Sequence, residues 1–272
     1  MPTLRQIHAV ASIGHVASSS ALLIISSVYS QWSPHLVTTV WKRDDPYFSS
    51  MEIDSIEAVW LLIVAGYVSG AHHAIFPGVE GARWADYAIS SPLMVFVIGA
   101  LSGVADVWTL VSMSVLQSVL MASSGVLEHA SRNAVLSVRN VLVMWTVLSA
   151  MYCVGVWGPV FAALDYQEPP EWVWAIIVLI FLWFAAFGVV FFVEAIGRFS
   201  ADTADKAYII LSLSAKIQLQ WTLFSGTISA GGSQNLWIGV VSGIVAIGSG
   251  IGALLISRDS KSARYSKTPS II

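Results

Sequence analysis

Eight apolar runs divide the chain, at about residues 8–31, 53–76, 83–101, 105–127, 137–163, 172–197, 204–229 and 235–257. Each is long enough to cross a ~30 Å hydrocarbon core as a helix, which takes about 20 residues. None alternates with a period of two, and long unbroken apolar stretches suit helices better than the strands of a barrel. Composition agrees, since 56% of the 272 residues are apolar and only 11% charged, against roughly 25% charged in a soluble domain. The expected fold class is an all-α, polytopic integral membrane protein. The first run is too long for a secretory leader, contains His8 and His15, and shows no small-residue cleavage site before Trp32. The single cysteine, Cys153, excludes an intramolecular disulfide and a cysteine-based zinc or iron–sulfur centre.

Basic residues orient the runs, because arginine and lysine concentrate in short cytoplasmic segments. With the N-terminus cytoplasmic, Arg5, Arg83, Arg132, Arg139, Arg198, Lys206, Arg258, Lys261, Arg264 and Lys267 fall inside, ten of the thirteen. Lys42 and Arg43 fall outside, beside Asp44, Asp45, Glu52 and Asp54, and the thirteenth is Lys216. Eight spans then leave both termini in the cytoplasm. The linker from about Gln31 to Glu52 is the longest, and its "HLVTTVWKRDDPYF" is able to form a small extracellular hairpin.

Lys216 lies about ten residues beyond Lys206, which at 1.5 Å per residue places it ~15 Å deep, near the bilayer centre. A cation there costs roughly 2.5–3.5 kcal/mol on insertion scales, so an intramembrane lysine is by default a functional candidate. A snorkelling or carboxylate-paired structural lysine is the bland alternative, and snorkelling is hard from the centre. A buried amine is a good nucleophile, as imine formation with an aldehyde requires. A protonated imine needs a buried anion, and few carboxylates lie within the runs. Asp86, in "GARWADYAISSPLM", follows Arg83 by three residues, a spacing that puts Arg83 on the same face one turn nearer the cytoplasm. Glu57 and Glu194 lie near run ends, where water reaches them, and Asp106 suits the N-cap or first turn of the fourth helix.

"SLSAK" around Lys216, "RWADYAISSPLM" in the third run and "FLWFAAF" in the sixth together resemble the retinal pocket of microbial rhodopsins. Within that group the chain is most similar to heliorhodopsins. The inverted N-terminus, the long first linker, "SGVADVW", "PPEWVWAIIVLIFLWF", and Ser212 at a position where typical pumps carry a second aspartate all fit them. The resemblance implies all-trans retinal bound covalently to Lys216 as a protonated Schiff base, with Asp86 as counterion. It further implies a retinal pocket that includes Tyr87, Ser90, Ser91, Met94, Trp183 and Ser212, and a cytoplasmic-side polar network of His15, Ser69, His72, His73 and Arg83. His72 and His73 are equal candidates by spacing. A lone membrane histidine is about as often a helix–helix hydrogen bonder, and most of the twelve tryptophans suit an interfacial belt. Trp32, Trp172 and Trp237 are not assigned to the pocket.

Three departures from the family stand out: aspartate where heliorhodopsins usually have glutamate, the short linker "IFPGVEGA", and the additional eighth run. The expected organisation is therefore a seven-helix retinal-binding bundle at 1–230, an additional transmembrane helix at 231–257 and a polar cytoplasmic tail at 258–272. Gly239, Gly243, Gly248 and Gly252 in the eighth run suit close helix packing, against the bundle or across a homodimer.

The expected role is photosensory signalling rather than enzymatic turnover, with isomerisation to 13-cis. A pump usually needs a donor acid about three turns beyond Asp86, and "LMVFVIGALSG" has none. The rival is light-gated proton conduction, with Glu57, Glu194 and the histidines as its path. A carrier built on a Lys216–Asp86 pair is a third reading, but the halves show no inverted repeat and no paired broken helices. Membrane lipid and an unidentified signalling partner are expected, and neither nucleic acid nor a metal site is.

Overall fold

The computed structural model describes residues 3–28, 35–41, 50–79, 81–166, 169 and 171–229. The proposed eighth helix with its glycines, the tail, and Lys42 and Arg43 lie outside the described residues. Helices α1 Leu4–Val28, α2 Ala58–Ile75, α3 Ala82–Leu101, α4 Val107–Arg132, α5 Val138–Tyr152, α6 Gly158–Tyr166, α7 Glu171–Ala195 and α8 Ala201–Ser229 follow one another, with α5 and α6 joined by a π turn, Cys153–Trp157. Counting α5, the turn and α6 as one span, seven helical segments form a closed ring. In it α1 packs on α2 and α8, α2 on α3, α3 on α4, α4 on α5, α5 on α7, and α7 on α8. Leu4–Ser27, Ala82–Leu101, Val107–Arg132, Val138–Asp165 and Glu171–Ala195 are long and apolar enough to cross a membrane. Exposed Val10, Ile13, Val64, Val115, Val126, Val143, Val178 and Leu182 give the ring an apolar outer surface, as a lipid-facing bundle requires.

Two prolines shape the spans. Pro92 lies inside α3 and cannot donate to the carbonyl of Ala88, one turn earlier. Ser118 of α4 replaces that donor, its hydroxyl 2.8 Å from Ala88 O, so one missing helical bond becomes an α3–α4 tie. Pro159 follows the π turn closely, and the wider turn makes room for a ring that would otherwise clash with the carbonyl four residues back. Between α1 and α2 the approach is close enough to require glycine: a Cβ on Gly66 would lie 1.9 Å from Ser19 Oγ.

Between α1 and α2, β1 His35–Trp41 and β2 Ser50–Glu57 form an antiparallel hairpin with a register shift between Thr38 and Thr39. The linker hairpin expected from sequence is present, but it extends farther than expected. Residues 53–57, assigned from sequence to the second membrane helix, belong to β2. The reason is visible in "SMEIDSIE", where Met51 and Ile53 alternate with Glu52 and Asp54 at the two-residue period of a strand. Glu57 is thus the last strand residue and lies outside the membrane helix to which it was assigned. Asp106 is the N-cap of α4 as expected, accepting from the Thr109 backbone N–H at 2.7 Å.

The interior has two main apolar clusters. Leu62, Met94, Ile98, Leu110, Met113, Trp157, Ile176, Ile180 and Leu219 belong to one, and Trp84, Tyr87, Leu127, Val141, Phe191, Ala204 and Tyr208 to the other. A cavity touches both, and it carries the site.

Candidate functional site

Lys216, midway along α8, is 5% exposed, and Asp86, one turn into α3, is 2% exposed. The Lys216 Nζ donates to Ser212 Oγ at 2.8 Å and stands 3.7 Å from Asp86 Oδ2. Ser212 and Lys216 are one helical turn apart, so α8 alone sets their contact. Asp86 Oδ1 accepts from Ser69 Oγ of α2 at 2.7 Å, whereas Oδ2 has no hydrogen-bond partner among the described residues. The Tyr87 ring lies 5.3 Å below the Lys216 Nζ, within cation–π range. Its hydroxyl donates to Tyr208 O at 3.0 Å, which fixes the ring against α8.

The amine faces a cavity of about 440 Å³, in the range of small-molecule sites. From α3 come Trp84, Tyr87, Ser91 and Met94; from α4 Gln117, Leu120, Met121 and Ser124; from α5 and the π turn Trp145, Tyr152 and Trp157. Phe181, Phe184, Phe187, Gly188 and Phe191 of α7 close the far side. The walls are rigid: Trp157 meets Phe181 edge to face at 5.2 Å, Trp145 stacks on Phe191 at 5.2 Å, and Tyr87 meets Phe187 at 5.5 Å. One polar thread runs along the wall, from Gln117 Nε2 to Ser91 Oγ at 2.8 Å and from Ser91 Oγ to Tyr87 O at 2.5 Å.

Tyr87, Ser91, Met94 and Ser212 therefore line the cavity as the sequence suggested, and Ser90 and Trp183 do not. Helical geometry accounts for the place of Ser90. Trp84, Tyr87, Ser91 and Met94 share one stripe of α3, while Ser90 stands four residues from Asp86, on the stripe that faces α2. On α7 the lining residues are 181, 184, 185, 187, 188, 189, 191 and 192, and position 183 is not among them. Phe181 and Phe184 take the place expected of Trp183. Sequence reasoning missed Trp84, Gln117, Trp145 and Trp157; the same three-and-four spacing, applied along each run, finds the first.

The expected polar network divides into two groups. His15 of α1 and His73 of α2 are together, their rings stacked at 5.6 Å, with His72 edge-on to His73 at 5.5 Å. His8, which sequence reasoning did not assign, joins them, its Nδ1 2.9 Å from His73 Nδ1.

Arg83 belongs elsewhere: it pairs with Glu128 of α4 and, at 2.7 Å, with Asp205 of α8. Arg132 bonds Asp205 at 2.6 Å, Glu194 at 2.6 Å and Glu128 at 3.2 Å. Glu194, assigned from sequence to a wetted helix end, is only 10% exposed within this cluster. Trp84 ties the cluster to the cavity wall, its Nε1 donating to Glu128 Oε2 at 2.8 Å. No group of three or more His, Cys, Asp or Glu side chains able to hold a metal occurs among the described residues.

Residues 4–228 match the family model described as Heliorhodopsin. The chain belongs to the heliorhodopsin family. It is accordingly a retinal-binding membrane protein of rhodopsin fold. No match exists among curated proteins.

Solved structures agree on the fold. The transmembrane domain of Salpingoeca rosetta rhodopsin phosphodiesterase aligns with a TM-score of 0.61 at 14% identity, over 83% of this chain and 84% of that one. The same protein's transmembrane domain with its linker region gives 0.60 at 14% identity, over 99% and 80%. Thermophilic rhodopsin gives 0.54 at 12% identity, over 84% and 97%.

The residues present fit the heliorhodopsin chromophore. The cavity is apolar and aromatic as a polyene needs, its only amine among the described residues is Lys216, and the carboxylate oxygen nearest that amine has no hydrogen-bond partner among them.

Proposed function

We propose that the chain is a photosensory protein in which Lys216 holds all-trans retinal as a protonated Schiff base and Asp86 is the counterion. When bound, retinal supplies visible absorption and a light-driven isomerisation to the 13-cis form. The observation that carries this is Asp86 Oδ2, buried, 3.7 Å from the Lys216 Nζ and without a hydrogen-bond partner among the described residues. Ser69 holds the other oxygen, which keeps the free one aimed at the amine. Ser212 accepts from Nζ as a neutral oxygen where a second carboxylate would share the counterion's task. Aromatic side chains from α3, α5 and α7 exclude water and fix the direction of a bound chain.

Signalling is favoured over proton conduction because Glu194, the interior end of a conducting path, is engaged by Arg132 at 2.6 Å. The phosphodiesterase resemblance is to a transmembrane domain, and we assign this chain no enzymatic activity. The excess of basic residues in short segments on one side supports cytoplasmic termini and an eighth span at 231–257. That span is suited to pack as a homodimer contact or against an unidentified signalling partner.

Reconstitution tests the proposal. Protein purified with all-trans retinal is expected to be coloured and to bleach in hydroxylamine under light. A colourless product from well-folded protein would falsify it.

A further inference from the structure

Of the four histidines near the Lys216–Asp86 pair, His8 is the one whose partners settle where its proton sits. It is buried at the start of α1, between His73 and the turn that follows α2. The Gly78 backbone N–H donates to His8 Nε2 at 3.3 Å. An amide N–H only donates, so Nε2 presents its lone pair and a neutral ring carries its proton on Nδ1. His8 Nδ1–H then donates across 2.9 Å to His73 Nδ1, and the His73 proton is left on Nε2. A second proton on either ring breaks the chain. On His8 it would oppose the Gly78 amide, and on His73 it would oppose His8 Nδ1–H. Gly78 itself is held by its turn, with φ +78°, a left-handed conformation that favours glycine.

We propose that His8 is a positioning residue: anchored on the Gly78 amide, it fixes His73 as the neutral Nε2–H tautomer and prevents it from accepting a proton from the Lys216–Asp86 site. His15 and His72 are then the histidines free to accept one, since both ring nitrogens of His15 and Nε2 of His72 are buried without a hydrogen-bond partner among the described residues. Five other titratable groups act electrostatically on this trio: His72 on α2, Arg83 and Asp86 on α3, and Asp205 and Lys216 on α8. The tautomer is independent of the retinal reading; its consequence for proton movement rests on it.

The test is ¹⁵N NMR of histidine-labelled full-length protein in lipid, with and without retinal, the His73 signals assigned by His73→Gln. In wild type, His73 is expected to show an N–H at Nε2 and a hydrogen-bonded lone pair at Nδ1, unchanged from neutral to mildly acidic pH. His8→Gln retains a donor and an acceptor and is expected to preserve the pattern. His8→Leu retains neither, and His73 is expected to titrate. A wild-type His73 with its proton on Nδ1 or on both nitrogens overturns the proposal without any variant, and so does His73 titrating identically in His8→Leu and wild type. Failure of the retinal reading would appear separately, as absent pigment with the tautomer pattern intact.

Discussion

The two buried charge groups of this bundle differ in how many charged partners each ion has. At the end of α3, α4, α7 and α8, two guanidiniums and three carboxylates engage one another through Arg83, Glu128, Arg132, Glu194 and Asp205, with Arg83 Nε and Glu194 Oε2 left without a hydrogen-bond partner among the described residues. Midway along α8, one amine faces one carboxylate at 3.7 Å, and a carboxylate oxygen has no hydrogen-bond partner among the described residues. The amine, with one carboxylate beside it, also lines the apolar cavity, which marks a place shaped for something the chain itself does not supply. The five-residue cluster ties four helices together, and the lone Lys216–Asp86 pair is available for chemistry. Trp84, which lines the cavity and donates to Glu128, connects the two.

The sharpest way to break this contrast is to remove the amine. Lys216→Ala is expected to abolish the visible band completely while leaving an expressed membrane protein, because alanine forms no imine and is well tolerated in a helix. Absorbance after retinal addition decides it, and a persisting band would move the attachment site elsewhere.

Removing the anion has the next largest effect. Asp86→Asn leaves the cation at Lys216 without its neighbouring charge, so the pigment is expected either to shift to the red or to lose the Schiff-base proton and shift to the blue. A second carboxylate at Ser212 would buffer the loss, and none is there. Spectral titration of wild type and variant is the measurement; matching spectra with matching acid transitions would place the counterion elsewhere.

In the five-residue cluster the expected effect is on stability. Glu128→Gln retains an acceptor for Trp84 but leaves two arginines facing two carboxylates. The remaining charges balance, so the expected cost is that of weakened charge-assisted hydrogen bonds, about 1.5–3 kcal/mol, while the absorption band is expected to stay close to wild type. Thermal loss of colour measures the first and the spectrum the second. A large spectral shift without destabilisation would mean that the cluster tunes the chromophore and does not merely hold the helices.

The sequence made the Lys216–Asp86 pair legible and hid the five-residue cluster, for physical reasons. A lysine in the middle of an apolar run stands out by its cost, and a carboxylate inside another run is its natural partner. The cluster residues sit at run ends, where charge is ordinary, and they come together only when four helices close. Glu128 and Arg132 were hidden further because the fourth apolar run stops near residue 127, whereas α4 continues to Arg132. Arg83 was placed beside Asp86 by its three-residue spacing, but helical side chains lean toward the N-terminus. Arg83 therefore reaches away from Asp86, to Glu128 and Asp205. The hairpin was read short because Ile53 and Ile56 resemble the start of an apolar helix until the acidic residues between and beside them are counted.

The smallest predicted effect tests the cavity face of α7. Trp183 carries the family resemblance, yet it packs against the apolar cluster and does not line the cavity. Trp157, from the π turn, lines it and is 4% exposed. Both side chains are large and aromatic, so composition does not separate them; only their direction does. Trp183→Phe is expected to leave the absorption maximum unchanged and to lower stability modestly, through lost packing. Trp157→Phe removes wall area from the cavity and its edge-to-face contact with Phe181, and is expected to shift the maximum measurably. Spectra of the two variants recorded side by side decide the matter. A shift confined to Trp183→Phe would mean that α7 is rotated, that position 183 faces the chromophore after all, and that Phe181 and Phe184 point to lipid.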